Sequence, residues 1–286
     1  MIFSVTGQPK RCDADIRIGA GQSRARSMRA MLTFAALTFG WTWSLWGIST
    51  AIKSQAPELG KALFLAAGFG PSLAAIVIVL LVGGTLGLRD WLRRCLTWRF
   101  WPGWYAVTFF AAPAAMLAAL GIHGALGGSL PAFPTGGPIG HVIATFGLVL
   151  MIGGPLGEEF GWRGYALPAL TTRYGWRRSS LIVGALWGLW HVPLFYIPGT
   201  GQSQMPMALF LASSFALSIL FARLSINTAF SVLPALLLHW SLNAWSLVIP
   251  MIPNGGSVRP YVLVMGILFA FAVIAFLLPG PKRQPV

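Results

Sequence analysis

Acidic residues are nearly missing from this chain. Six Asp and Glu stand against 20 Lys and Arg in 286 residues, the net charge is +14, and charged residues of both signs make up only 9%. A soluble domain of this length carries about a quarter charged residues, so the shortage of polar surface excludes a water-soluble fold. Cysteine is almost as scarce. Cys12 lies in a polar tail and Cys95 in a basic segment, which leaves neither a disulfide framework nor a cysteine metal site. No internal repeat or low-complexity tract is present. On a soluble protein the basic excess would point to nucleic acid. Here the basic residues fall in short clusters between apolar segments, where they act as topology signals and attract anionic headgroups. The lipid bilayer, and no nucleic acid, is the expected surrounding.

What the chain does have is apolar length. Eight segments long enough to cross a bilayer as helices run roughly over 30–52, 62–83, 103–122, 140–160, 179–197, 206–222, 228–249 and 260–278. The expected fold is therefore all-α, a polytopic helical bundle of about eight spans. Residues 1–29 read as a polar, basic, mobile cytoplasmic tail, since a secretory signal would bring its apolar region sooner. Met1, Met28 and Met31 each suit a start. Residues 30–278 form the membrane domain and 279–286 a short cytoplasmic tail. Arg89 to Trp101 mixes basic and aromatic residues and reads as a surface helix. The Gly- and Pro-rich stretch 123–138 reads as an external loop. With alternating sides, 17 of the 20 basic residues fall on one face, and only Lys53, Lys61 and Arg259 on the other. Positive-inside bias makes the majority face cytoplasmic, with both termini inside.

Beyond Asp90 the only acids are Glu158 and Glu159, adjacent and inside the fourth apolar segment. Charges at membrane depth cost several kcal/mol unless they face a bundle interior and find partners. His191 lies in the fifth segment, and His239 and Asn243 lie in the seventh, four residues apart on one helical face. Arg163 follows Glu159 by four residues, the spacing of an ion pair, while Glu158 is rotated by about 100° and points elsewhere. Counted from the basic end of each segment, Glu158, His191 and His239 sit about 22, 20 and 24 Å deep at 1.5 Å per residue. Three helices thus place polar groups in one layer, which is how a bundle builds a site. Singly, each histidine reads as a core residue bonded to a carbonyl, Asn243 as interhelical glue and Glu159 with Arg163 as a structural pair. Trp98, Trp101, Trp104 and Trp176 read as interfacial anchors, and Trp162, Trp187, Trp190 and Trp240 as walls of the site.

Glu with His suits hydrolysis. A carboxylate takes a proton from water, an imidazole positions that water or passes a proton to the leaving amine, and a second His with an Asn donates to the oxyanion. No H-E-x-x-H zinc motif occurs, no Asp lies in an apolar segment, and no serine sits in a nucleophile motif.

Three local patterns carry a resemblance. Glu158-Glu159-Phe160-Gly161-Trp162-Arg163 matches E-E-x-x-x-R, Trp187 to His191 is similar to F-x-x-x-H with Trp in place of Phe, and His239 to Asn243 matches H-x-x-x-N. In that order these are the motifs of the CAAX-protease and bacteriocin-processing (CPBP, or Abi) family, which the chain resembles over residues from about 140 to 250. The resemblance implies a membrane bundle of about eight spans and an endopeptidase of membrane-protein or lipidated-peptide substrates, in a bacterial cytoplasmic membrane. It implies Glu158 as water-activating base with His191 as its partner, His239 and Asn243 as oxyanion donors, and Glu159 and Arg163 as supporting residues. No cofactor is expected. Zinc held by Glu158, His191 and His239 is the alternative. A non-catalytic immunity or scaffold member of the family, or a proton-coupled transporter, are the rival readings; absent inverted repeats weigh against the last.

Overall fold

The computed structural model describes residues 10–131, 139–251 and 257–280, with side chains from residue 28 onward and, in the helix that begins at Ile139, from residue 143. His141, Lys282, Arg283 and the side chains of the basic tail as far as Arg26 lie outside this set. Ten α-helices follow in order: α1 (Lys10–Ile52), α2 (Pro57–Ala67), α3 (Gly70–Cys95), α4 (Gly103–Ala125), α5 (Ile139–Ile152), α6 (Pro155–Gly161), α7 (Leu167–Trp190), α8 (Met207–Asn227), α9 (Leu233–Val248) and α10 (Arg259–Leu277). A π-helical turn, Trp162–Ala166, joins α6 to α7, and 3-10 turns follow α7. The chain is an all-α polytopic membrane bundle.

Proline marks where helices begin. α2, α3, α6, α7, α9 and α10 each carry one at the first or second position, where the missing N–H has no partner to lose. Without a proline between Pro9 and Pro57, the backbone of α1 runs unbroken from Lys10 to Ile52.

Among the described residues, five stretches are long and apolar enough to cross a membrane: Gly70–Cys95, Gly103–Ala125, Ile143–Tyr196, Met207–Asn227 and Arg259–Leu277. The third, at 54 residues, covers the fourth and fifth segments expected from the sequence. Their outward faces are strongly apolar; Leu81 and Val82 are about 80% exposed (79% and 80%) and Ile143 67%. Apolar surface on that scale requires lipid.

Two expected segments are divided differently. The segment at 62–83 is split at Gly68–Phe69, so α2 is short and α3 continues past it to Cys95. The surface helix expected over Arg89–Trp101 ends at Cys95, and its Trp91 is buried. Trp91 Nε1 and Arg94 Nη2 both donate to the carbonyl of Gly164, at 3.0 and 2.8 Å. The π-turn leaves that carbonyl open to side-chain donors, and two of them hold α3 against it. Trp98 and Trp101 remain exposed, as interfacial anchors are.

Close packing positions the two glutamates. A Cβ on Gly157 would lie 2.4 Å from the carbonyl oxygen of Gly68, and one on Gly161 2.4 Å from the carbonyl of Pro71. α6 therefore lies backbone-to-backbone on the start of α3, an approach that only glycine permits. Glu158 and Glu159 are directed by this contact into the bundle.

Candidate active site

Of the polar residues singled out from the sequence, Glu158, His191, His239 and Asn243 line one cavity of about 660 Å³, and Glu159 and Arg163 join it through His239. Glu158 is 4% exposed, Glu159 0% and Arg163 1%, so all three charged side chains are withdrawn from solvent and lipid. His191 and His239 are buried beside them.

The site begins at a break in the chain. After α5, Gly154 adopts φ 110°, ψ −49°, a conformation that side-chain-bearing residues avoid. Pro155 then restarts the helix, and Glu158 lies in its first turn with its N–H on the carbonyl of Gly154. The fourth apolar segment is thus not the continuous helix expected. Gly-Gly-Pro at 153–155 is the physical reason, since it joins a residue free to take positive φ to one that only starts helices.

The two glutamates have separate partners. Trp187 Nε1 donates to Glu158 Oε2 at 2.5 Å. Arg163 Nη1 donates to Glu159 Oε1 at 3.0 Å, and His239 Nδ1 donates to the same oxygen at 2.8 Å. The ion pair read from the sequence is present, but Glu159 does more than balance Arg163. It also fixes the ring of His239 from 80 residues away. Arg163 is further sandwiched, its Cζ 4.6 Å from the Trp187 ring centroid and 4.4 Å from that of Phe221. Buried cations need such company once hydration is removed.

With Nδ1 engaged, His239 turns Nε2 toward Glu158. The missing side chain of Gly154 marks the spot: a point one Cβ bond from its Cα lies 2.7 Å from Glu158 Oε1 and 3.6 Å from both His239 Nε2 and Asn243 Nδ2. Asn243 is held there by its own bond, Nδ2 donating to the carbonyl of Gly153 at 2.9 Å, which leaves one amide hydrogen free.

His191 sits at the junction of α7 and the following 3-10 turn. Its Nδ1 donates to the Trp187 carbonyl at 2.7 Å, so Nε2 is the nitrogen left for a ligand. Among the described residues no hydrogen bond joins His191 to Glu158; the two share the cavity wall, and the Trp187 ring lies 5.5 Å from His191 and 5.8 Å from His239. Trp190 packs edge-on at 4.7 Å from His191, Trp162 is fully buried behind it, and Trp240 donates to the Phe146 carbonyl at 2.8 Å.

Sequence reasoning treated Trp187 as wall material. Its indole is instead a direct partner of Glu158. The i, i+4 spacing to His191 placed both on one face and was the available signal. Gly154 was not singled out, and Trp91 and Arg94 were read only as part of a surface helix. As to zinc, three converging protein ligands would be required. Among the described residues no group of three His, Cys, Asp or Glu is arranged to hold a metal ion. Glu158, His191 and His239 do not fit one in this arrangement, so no chemical step is routed through a metal.

Residues 140–245 match the sequence profile of the Rce1-like type II CAAX prenyl endopeptidases. Over that region the chain is similar to the CPBP family. It is also similar to CAAX prenyl protease 2 of Methanococcus maripaludis, 30% identical over 146 residues, which is 48% of this chain and 53% of that protein. The chain thus spans about half the length of the curated relative it matches. The family is one of membrane endopeptidases, and the matched region holds every residue of the site just described.

Proposed function

We propose that this protein is an intramembrane endopeptidase that hydrolyses a peptide bond of a membrane-associated protein or lipidated peptide, using Glu158 as general base and no metal. The observation that carries the reading is the convergence of Glu158 Oε1, His239 Nε2 and Asn243 Nδ2 around Gly154, all within 3.6 Å of the point its missing Cβ would occupy. A water in the cavity next to that point, clear of the Gly154 backbone, lies within reach of the carboxylate.

The chemistry follows from the partners of each atom. Glu158 Oε1 takes a proton as the water oxygen bonds to the peptide carbonyl carbon. Oε2 stays anchored by Trp187, so the carboxylate presents one fixed oxygen to the water. Negative charge then grows on the carbonyl oxygen. The free amide hydrogen of Asn243 and, when its ring is protonated, Nε2–H of His239 donate to it. Collapse breaks the C–N bond, and the proton held by Glu158 passes to the amine nitrogen. Glu159 and Arg163 take no part in bond changes. They keep the His239 ring turned toward the pocket. His191, with Nε2 free, lines the pocket and orients the water or the departing amine.

The test compares membranes from cells carrying the wild-type chain with membranes from cells carrying Glu158→Ala, sequencing the peptide termini in each. New termini that depend on Glu158 are expected. Identical terminus profiles, with both proteins present at equal levels, would reject the protease reading.

A further inference from the structure

A second hollow, sharing no lining residue with the Glu158 cavity, lies where the end of α3 meets the segment leading to α4. α3 is not straight. Gly84 takes φ 59°, ψ −161°, and helical backbone resumes at Thr85. Leu81 and Val82 before the break are turned to lipid, and Leu86 just after it is 71% exposed. Beyond the break the composition changes. Residues 85–101 hold four arginines and a single acid, Asp90. The hollow, of about 730 Å³, is lined by Leu88, Leu92 and Leu96, four residues apart, and by the exposed Arg89, Arg93, Arg99 and Trp98.

The returning segment is held in place. Ser231 Oγ donates to the Thr97 carbonyl at 2.6 Å, Tyr105 Oη donates to the Trp98 carbonyl at 2.7 Å, and the Phe100 and Tyr105 rings stack at 4.8 Å. Arg99 lies over the indole, its Cζ 4.9 Å from the Trp98 ring centroid. A surface pinned in this way loses little freedom when it is occupied. The arginines divide by partner. Arg94 turns inward and is engaged by the carbonyls of Gly164 and Phe230. Arg93 meets Asp90 at 3.7 Å between exposed side chains, a contact worth little in water. Arg89 and Arg99 have no ion pair and no hydrogen bond to the protein among the described residues.

Three guanidinium groups with so little internal compensation, beside a leucine wall and a lipid-facing surface, fit a ligand that is anionic at one end and apolar along its length. We infer that the hollow binds an anionic glycerophospholipid. Arg89, Arg93 and Arg99 hold its phosphodiester, since guanidinium groups present paired donors to phosphate oxygens. Its acyl chains lie against Leu86, Leu88 and Leu92, and Trp98 sits at the depth of the glycerol, where interfacial indoles are found. A zwitterionic phospholipid carries the same phosphate but adds a cation of its own, which three arginines disfavour, so the site selects net negative charge.

The site is independent of peptide-bond hydrolysis, and its test needs no turnover. The full chain is reconstituted in nanodiscs holding phosphatidylcholine and phosphatidylglycerol in equal amounts, and the lipids retained on the released protein are weighed by native mass spectrometry. The wild-type chain is expected to keep phosphatidylglycerol in preference. Each basic side chain near an anionic headgroup contributes about fivefold to occupancy, so Arg89→Gln with Arg99→Gln is expected to lower that preference by roughly 25-fold. Arg173→Gln with Arg178→Gln removes the same charge from exposed positions that do not line the hollow, and is expected to change it by less than about twofold. Unchanged preference on losing Arg89 and Arg99, or equal losses in the two variants, would overturn the inference. Displacement of the lipid by excess inorganic phosphate would make the ligand a free phosphate and overturn it as well. A second arm leaves the arginines in place. Phosphatidylglycerol brominated on its acyl chains near the headgroup is expected to quench Trp98, read as the difference between wild type and Trp98→Phe, more strongly than equally brominated phosphatidylcholine. Equal quenching by the two lipids would also overturn the inference.

Discussion

The indole of Trp187 donates to Glu158 Oε2 at 2.5 Å, from one membrane helix to the first turn of another 29 residues earlier. Where the family pattern has Phe, this chain has an aromatic that can also donate. A hydrogen bond to a charged group contributes about 1.5–3 kcal/mol. Trp187→Phe keeps a ring against Arg163 but removes the donor. The expected result is a folded protein whose kcat drops by roughly 10- to 100-fold, the kinetic equivalent of that bond, with KM changed much less. Unchanged kcat in purified protein would mean that the carboxylate is oriented by something else.

The adjacent glutamates separate into chemistry and scaffold. Glu158→Gln is expected to insert and accumulate normally, since the amide still accepts from Trp187, while losing about 10²–10⁴ in rate as a missing general base does. Glu159→Gln and Arg163→Ala each leave a buried charge without its partner, costing ~3 kcal/mol, and are expected to lower yield and melting temperature. Because Glu159 also holds His239, its folded fraction is expected to turn over more slowly than wild type while keeping some activity. Thermal melts and a cleavage assay on one substrate check both. A stable, inactive Glu159→Gln beside a fully active Glu158→Gln would exchange the two roles.

Gly154 is expected to tolerate no side chain. Its φ of 110° is strained for any other residue, and a Cβ would stand 2.7 Å from Glu158 Oε1, pressing on the oxygen that receives the proton. Gly154→Ala should abolish turnover. Gly147→Ala, in the same membrane region but with open space around the position, should retain it. Wild-type activity in Gly154→Ala would show that the close approach of Gly154 to Glu158 Oε1 is not needed for turnover.

Activity is expected to survive exhaustive chelation of the purified enzyme, because Glu158, His191 and His239 do not converge as a metal set. Metal content measured alongside turnover checks this. Stoichiometric zinc, with activity lost on stripping and restored on adding it back, would make those three residues ligands.

The membrane character and the residues of the candidate site were legible in the sequence because the bilayer makes polarity expensive. In a chain this apolar, Glu158, Glu159, His191, His239 and Asn243 stand out, and the four-residue spacings of Glu159–Arg163 and His239–Asn243 assign shared faces from helical period alone. The Gly-Gly-Pro break at 153–155 was written there too, yet hydropathy does not register it, because glycine and proline interrupt a helix without making it polar.

What only the tertiary structure decided are the bonds between helices. Nothing local tells that Trp187 reaches Glu158, that Glu159 serves both Arg163 and a histidine 80 residues later, or that Trp91 and Arg94 hold the open carbonyl of the π-turn. Hydrophobic period fixes which face of a helix turns inward. Which helix it meets, at what depth and in what rotation, is set by close contacts such as Gly157 on Gly68 and Gly161 on Pro71, and these exist only once the bundle has packed.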